Sequence, residues 1–227
     1  MKIRSLTSTL LVLSATILSA AESPSLDTDW IPARPEVLTY SSKGKQGDGL
    51  YQVSVSRTGD QIEEYMNIIM PGFTKTVWGI MTDEMRPQAS KSRIIVQDQV
   101  TISTDCSYES DRLAITTLIS PLDKVMADTV RFTTQVMDFS QIPLLPRTLP
   151  LKPGAEFKFD MLNPQTNSLI PLTIRVVREE VMRDIACYKV EGSDFEGQFV
   201  CWIEKEGHHR LIRIEQPGAR RVTELVP

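Results

Sequence analysis

The chain has 227 residues, 41% of them hydrophobic and 24% charged, with a mean hydropathy of −0.15. That balance supplies one buried core and excludes a polytopic membrane protein, a collagen-like repeat and wholesale disorder. A net charge of −4 and a pI near 5.3 argue against nucleic acid as a partner, and three cysteines are too few for a small disulfide-stapled scaffold.

Residues 1–21 have the order of a secretory signal peptide. Met1-Lys2-Ile3-Arg4 is basic, Leu6–Ala20 is uncharged, and Ser19-Ala20-Ala21 supplies small residues before Glu22. The uncharged run is shorter than the ~20 apolar residues that cross a bilayer core, so cleavage after Ala20 or Ala21 is expected rather than anchoring. No cysteine stands there to accept a lipid, and no later window is apolar enough to span a membrane. The exported product is therefore expected to be periplasmic and not membrane-spanning, in a space that permits disulfides.

Residues 22–35 are rich in Pro, Ser and Asp without periodicity and read as a flexible leader. The roughly 190 residues from 36 to 227 suit a single domain. Within them, short runs alternate between apolar and polar residues. Leu50–Arg57, Gln61–Met70, Phe73–Met81, Arg93–Ser103 and Arg112–Ile119 fill the first half, with breaks at Thr58-Gly59-Asp60 and Pro71-Gly72. Phe157–Met161, Leu172–Val177, Cys187–Glu191, Gln198–Glu204, Leu211–Glu215 and Arg221–Leu225 continue the rhythm. Each run has one apolar face to bury, which predicts an all-β fold: an antiparallel, strongly curved, half-open β-barrel of ten or more strands.

Met137–Leu151 breaks that rhythm. Asp138 or Ser140 can cap a helical turn, while Pro143, Pro146 and Pro150 forbid a long helix. Its apolar residues, including Phe139, Ile142 and Leu145, predict a short helical plug lying against the sheet. Asp138 and Arg147 bracket the plug and can pair with each other or with strand residues. Arg147 can alternatively face a cavity and meet an anionic headgroup. Tyr65, Trp78 and Trp202 are large amphipathic side chains suited to lining a pocket or filling a core.

Other candidate chemistry is thin. Cys187 and Cys201 flank a turn centred near Asp194, and symmetric closure there would set them opposite each other as a disulfide. Cys106 has no evident partner. His208 and His209 are adjacent, with no ligand at metal spacing beside them, so no metal or cofactor is expected. Glu63-Glu64, Asp83-Glu84 and Glu179-Glu180 read as solvated edges rather than a convergent catalytic pair.

The stretch from Val136 onward resembles a segment shared by uncharacterised bacterial periplasmic proteins of a DUF-type family, a family of unknown function. Asp138-Phe139-Ser140-Gln141-Ile142, Leu145, Arg147, Leu149-Pro150-Leu151 and Gly154 carry the resemblance. Glu180, Cys187-Tyr188-Lys189-Val190, Gly197 and Cys201-Trp202-Ile203 continue it. In general design such proteins are similar to the lipoprotein-localisation carriers, whose curved antiparallel sheet wraps an apolar cavity under a helical lid. Here only Asp138–Leu145 and Leu122–Thr129 offer such helices. The resemblance implies a barrel-like fold and permits a non-catalytic carrier of a lipidic or apolar ligand. The competing expectation is an envelope module that pairs exposed strand edges with a protein partner. An enzyme would need converging titratable groups that the sequence does not display.

Overall fold

The structure is a computed structural model and describes residues 24–45, 47–163, 166–194 and 197–227. The export signal expected over residues 1–21 lies outside them.

The alternating runs form strands. In the first half these are β1 (Glu36–Lys43), β2 (Gly49–Thr58), β3 (Gln61–Met70), β4 (Phe73–Thr82), β5 (Pro87–Val96), β6 (Gln99–Tyr108), β7 (Arg112–Ile119) and β8 (Lys124–Arg131). After the short β9 (Val136–Met137) come β10 (Glu156–Asn163), β11 (Ser168–Met182), β12 (Ile185–Asp194), β13 (Gly197–Glu204), β14 (Leu211–Gln216) and β15 (Arg221–Leu225). They make one 15-stranded sheet in the order β8-β7-β6-β5-β4-β3-β2-β1-β15-β14-β13-β12-β11-β10-β9.

All neighbours are antiparallel except β9 and β10. β1 and β15 join the two halves at the centre, with Tyr40 opposite Leu225 and Lys43 opposite Val222. The ends of the sheet, β8 and β9, do not pair with each other, so the barrel is half-open.

Curvature follows from burial. One apolar cluster contains Val53 of β2, Val77 of β4, Leu113 of β7, Met161 of β10, Val190 of β12 and Leu211 of β14. A flat sheet cannot bring six such distant strands to one core. The sheet must curl around it, burying one face of most strands, with β8 at the open end left exposed.

The plug fills that interior. It begins in β9, continues through a 3-10 turn at Phe139–Gln141 and ends in α1 (Leu145–Thr148), where Pro146 occupies the first turn. Phe139, Leu144, Leu145 and Leu149 are all buried. Among the described residues no helix is long and apolar enough to cross a membrane.

Three expectations need correction. Leu122–Thr129 is not a lid helix, because Lys124–Arg131 is a strand in unbroken register with β7. The described part of the leader is docked rather than loose. Ile31 is buried, Asp27 N donates to Thr148 O at 2.7 Å, and Thr28 Oγ1 donates to Asp83 O at 2.8 Å.

Cys187 and Cys201 do not form a disulfide; both are free and buried. The hairpin sets Cys187 opposite Glu204 and Cys201 opposite Val190, so its apex lies beyond Asp194. Cys201 joins the main core, while Cys187 packs with Trp202 and Ile212 in a separate cluster. The two thiols occupy opposite faces of the sheet, where no disulfide geometry is available.

Candidate functional site

The plug is held by polar contacts at both ends, and they involve strand residues rather than each other. At its start, the Asp138 carboxylate accepts from Ser140 N at 2.7 Å and from Ser90 Oγ at 2.8 Å. It also accepts from the Tyr108 hydroxyl. Gln141 completes a capping box: its Oε1 accepts from Asp138 N at 2.6 Å, while its Nε2 donates to Met85 O at 2.8 Å. Burial, followed by the neighbouring Asp138 charge, pushes the Cys106 thiol up to about 12 and raises the Tyr108 hydroxyl well above its usual value.

At the other end, Arg147 is 2% exposed. Its Nη2 donates to Glu36 Oε2 at 2.7 Å and to His208 O at 3.0 Å, and its Nε donates to His209 O at 3.1 Å. The Trp30 ring lies 4.3 Å from the guanidinium carbon, so the leader covers this ion pair with an aromatic face. Arg147 is thus spent on holding α1, the β13–β14 turn and β1 together.

Between these anchors lies Glu64, which the sequence reading placed on a solvated edge. Ile62, Glu64 and Met66 share the inward face of β3, and both carboxyl oxygens of Glu64 are buried without a hydrogen-bond partner. Burial raises its acid well above the usual range; Asp138 adds to this and Arg147 opposes it. The in-phase position between Ile62 and Met66 was the signal that could have found it.

The remaining sequence candidates are dispersed. Tyr65 and Trp78 face each other on the outer side of β3 and β4, and Trp78 Nε1 donates to Glu63 Oε1 at 2.5 Å. Trp202 lies on the outer face of β13, near Lys189 and Arg213, and donates to Glu180. None of the three reaches Arg147, so the proposed pocket-lining set does not assemble. Phe139 and Leu145 lie in the core and Ile142 packs against it.

Two clefts among the described residues lie away from that set. A surface cleft of about 680 Å³ lies between Tyr108–Asp111 and Phe132–Val136, with Arg86 at its rim. A second, of about 710 Å³, is lined by Val37–Thr39, Arg183, Arg210 and Leu225–Pro227. Their arginines are engaged: Arg86 with Glu84, Arg183 with Leu225 O, and Arg210 with Glu204.

The open end of the sheet offers a different site. Seven of the eight residues of β8 are exposed, including Val125 and Met126. Phe132 N donates to Asp111 O at 3.0 Å. Hydrogen-bonded and non-bonded pairs alternate along an antiparallel ladder, so Val125, Ala127 and Thr129 direct their amides away from β7. The amide of Thr129 is met by the carboxylate of Asp128, 2.7 Å away. Among the described residues no strand pairs with this edge, and Asn167, just before β11, meets it from across the opening, its Nδ2 donating to Asp128 Oδ2 at 3.5 Å.

The model of a family described as a protein of unknown function (DUF3108) matches residues 40–222. The chain belongs to that family. The match extends the resemblance seen in the second half to most of the DUF3108 sheet, including β2–β8. No curated protein matches the chain. Among solved structures it is similar to a beta-barrel-like protein of a domain of unknown function, DUF1849, from Brucella abortus. The TM-score is 0.57 at 7% identity, covering 86% of this chain and 97% of that one. At that identity the likeness concerns the fold alone.

Proposed function

We propose that this DUF3108 protein is a non-catalytic module of the periplasmic cell envelope that binds protein partners by strand addition along β8. The carrying observation is an eight-residue edge with no bulge or proline and with outward amides at Val125 and Ala127, that of Thr129 being met by Asp128 Oδ1. Natural sheets usually protect such an edge. Lys124 and Arg131 charge only its ends, leaving Asp128 as the one charge between them.

The interior supports this reading over that of a lipid carrier. A carrier of the lipoprotein-localisation kind would have to expel the plug to admit its ligand. Exposing Phe139, Leu144, Leu145 and Leu149 alone costs on the order of 6–12 kcal/mol, at roughly 1.5–3 kcal/mol per side chain. That range brackets the whole binding free energy of a micromolar ligand, about 8 kcal/mol. Strand addition disturbs none of these contacts.

Site-specific photo-crosslinking in cells tests the proposal. A crosslinker at Val125 or Ala127 should capture discrete protein adducts, and one at Tyr65 on the outer wall should not. Equal capture from both places, or none from β8, would refute it. Native mass spectrometry that shows a lipid-sized mass inside the purified protein would favour the carrier instead.

A further inference from the structure

We propose that the edge of β8 pairs with the same edge of a second copy, in the antiparallel register that places Met126 on the two-fold axis; this rests on the edge-pairing reading above. Outward amides at odd-numbered positions restrict an antiparallel self-pair to registers that set odd residues opposite odd residues. With Met126 opposite Met126 of the second copy, Val125 bonds to Ala127 of the second copy, and the reverse pair repeats this. Lys124 then stands opposite Asp128 of the second copy, again twice, on the face shared with Met126.

Other registers lose this match. Moving the pairing so that Ala127 meets its own copy sets Lys124 against Val130 and Met126 against Asp128. One further step sets the two Asp128 carboxylates against each other, a directly opposed like-charge pair. The favoured register also covers Met126 and Val125, which are 37% and 65% exposed in the single chain. The edge alone thus carries hydrogen-bond donors, apolar side chains and charges that are self-complementary under a two-fold axis, as a closed dimer requires.

Sedimentation of the purified protein over a range of concentrations should show a reversible monomer–dimer equilibrium. Asp128→Lys opposes two lysine pairs and should weaken the dimer at least about tenfold, whereas the exchange Lys124→Asp with Asp128→Lys should restore it. Disulfide trapping reads the register. Met126→Cys should give a covalent dimer under mild oxidation, because opposed Cα atoms in a non-hydrogen-bonded pair lie about 4.5 Å apart, within disulfide reach. Ala127→Cys should trap far less.

A monomer at every concentration, with no trapping at Met126→Cys, would overturn self-pairing. If β8 photo-crosslinks then still yielded adducts with other proteins, edge pairing would survive with a different partner; absence of both would remove the two readings together. Trapping that favours Ala127→Cys would overturn the register.

Discussion

Glu64 and Gly79 stand opposite each other in the β3–β4 ladder, and the missing side chain of Gly79 makes room for Ser140 of the plug. A Cβ on Gly79 would overlap Ser140 Oγ and come within 2.9 Å of Ser140 Cβ. Gly79→Ala should therefore lift the plug and cost about 1–3 kcal/mol in urea unfolding. Adding Ser140→Gly should recover part of the loss. A Gly79→Ala protein as stable as the parent would show that the contact is easily relieved.

Glu64 gives the protein a pH dependence of definite sign. Burial holds its folded-state acid well above the ordinary value of 4.5. Below about 4.5 both folded and unfolded chains keep the proton, and the group does not alter stability. As pH rises from there toward the folded-state value, the unfolded chain releases the proton while the folded chain retains it. Stability is lost across that window. Glu64→Gln should remove this loss, so its advantage over the parent should be larger at pH 8 than at pH 4. Parallel stability–pH curves for the two proteins would contradict the assignment.

Arg147 anchors the second end of the plug through geometry as well as charge. Arg147→Met removes the ion pair of Glu36, leaving that carboxylate only its 3.0 Å contact with His208 Nδ1, and strands the two carbonyls of the β13–β14 turn; it should cost about 3 kcal/mol by chemical denaturation. Arg147→Lys should rescue little, since an ammonium cannot reproduce the planar fork over Trp30. Full rescue by lysine would reduce the role of Arg147 to its charge.

The Asp138 end should respond in graded fashion. Tyr108→Phe removes one of three donors to the carboxylate and should cost about 1 kcal/mol, while Asp138→Ala leaves all three unpaired and should cost about 3 kcal/mol. Equilibrium unfolding of the two variants checks the order.

The three thiols should behave as buried single groups, in oxidising buffer as in reducing buffer. Burial pushes Cys201 up to about 12 and Cys187 up to about 11, and each thiol is sequestered from solvent. A thiol reagent at pH 8 should label none in the native protein and all three after unfolding, and reductant should not shift the melting temperature. A native disulfide would appear as two missing thiols in the unfolded sample.

How far the sequence reveals the fold depends on what each signal measures. Period-2 alternation in Leu50–Arg57 and Phe157–Met161 reports one-sided burial directly, and the strands lie there. The prolines of Met137–Leu151 restrict helix length, and the plug is short for that reason. Cys187 and Cys201 misled because equal spacing from Asp194 does not fix a hairpin apex, and a shift in pairing transfers side chains between faces. Glu64 was hidden by its chemical type, since carboxylates are seldom buried without a partner. The leader had no periodicity to reveal its docking, which rests on particular bonds such as Asp27 N to Thr148 O. Leu122–Thr129 has no clean alternation because nearly every residue of β8 is exposed on either face.

The adjacency of β1 and β15 has a consequence for biogenesis. The first strand of the sheet to leave the ribosome finds one of its two neighbours only when the last strand follows. Until then the growing polypeptide holds two separate meanders, each with a bare flank. Final closure thus awaits the completed strand set, which leaves an interval for a chaperone to guard the chain.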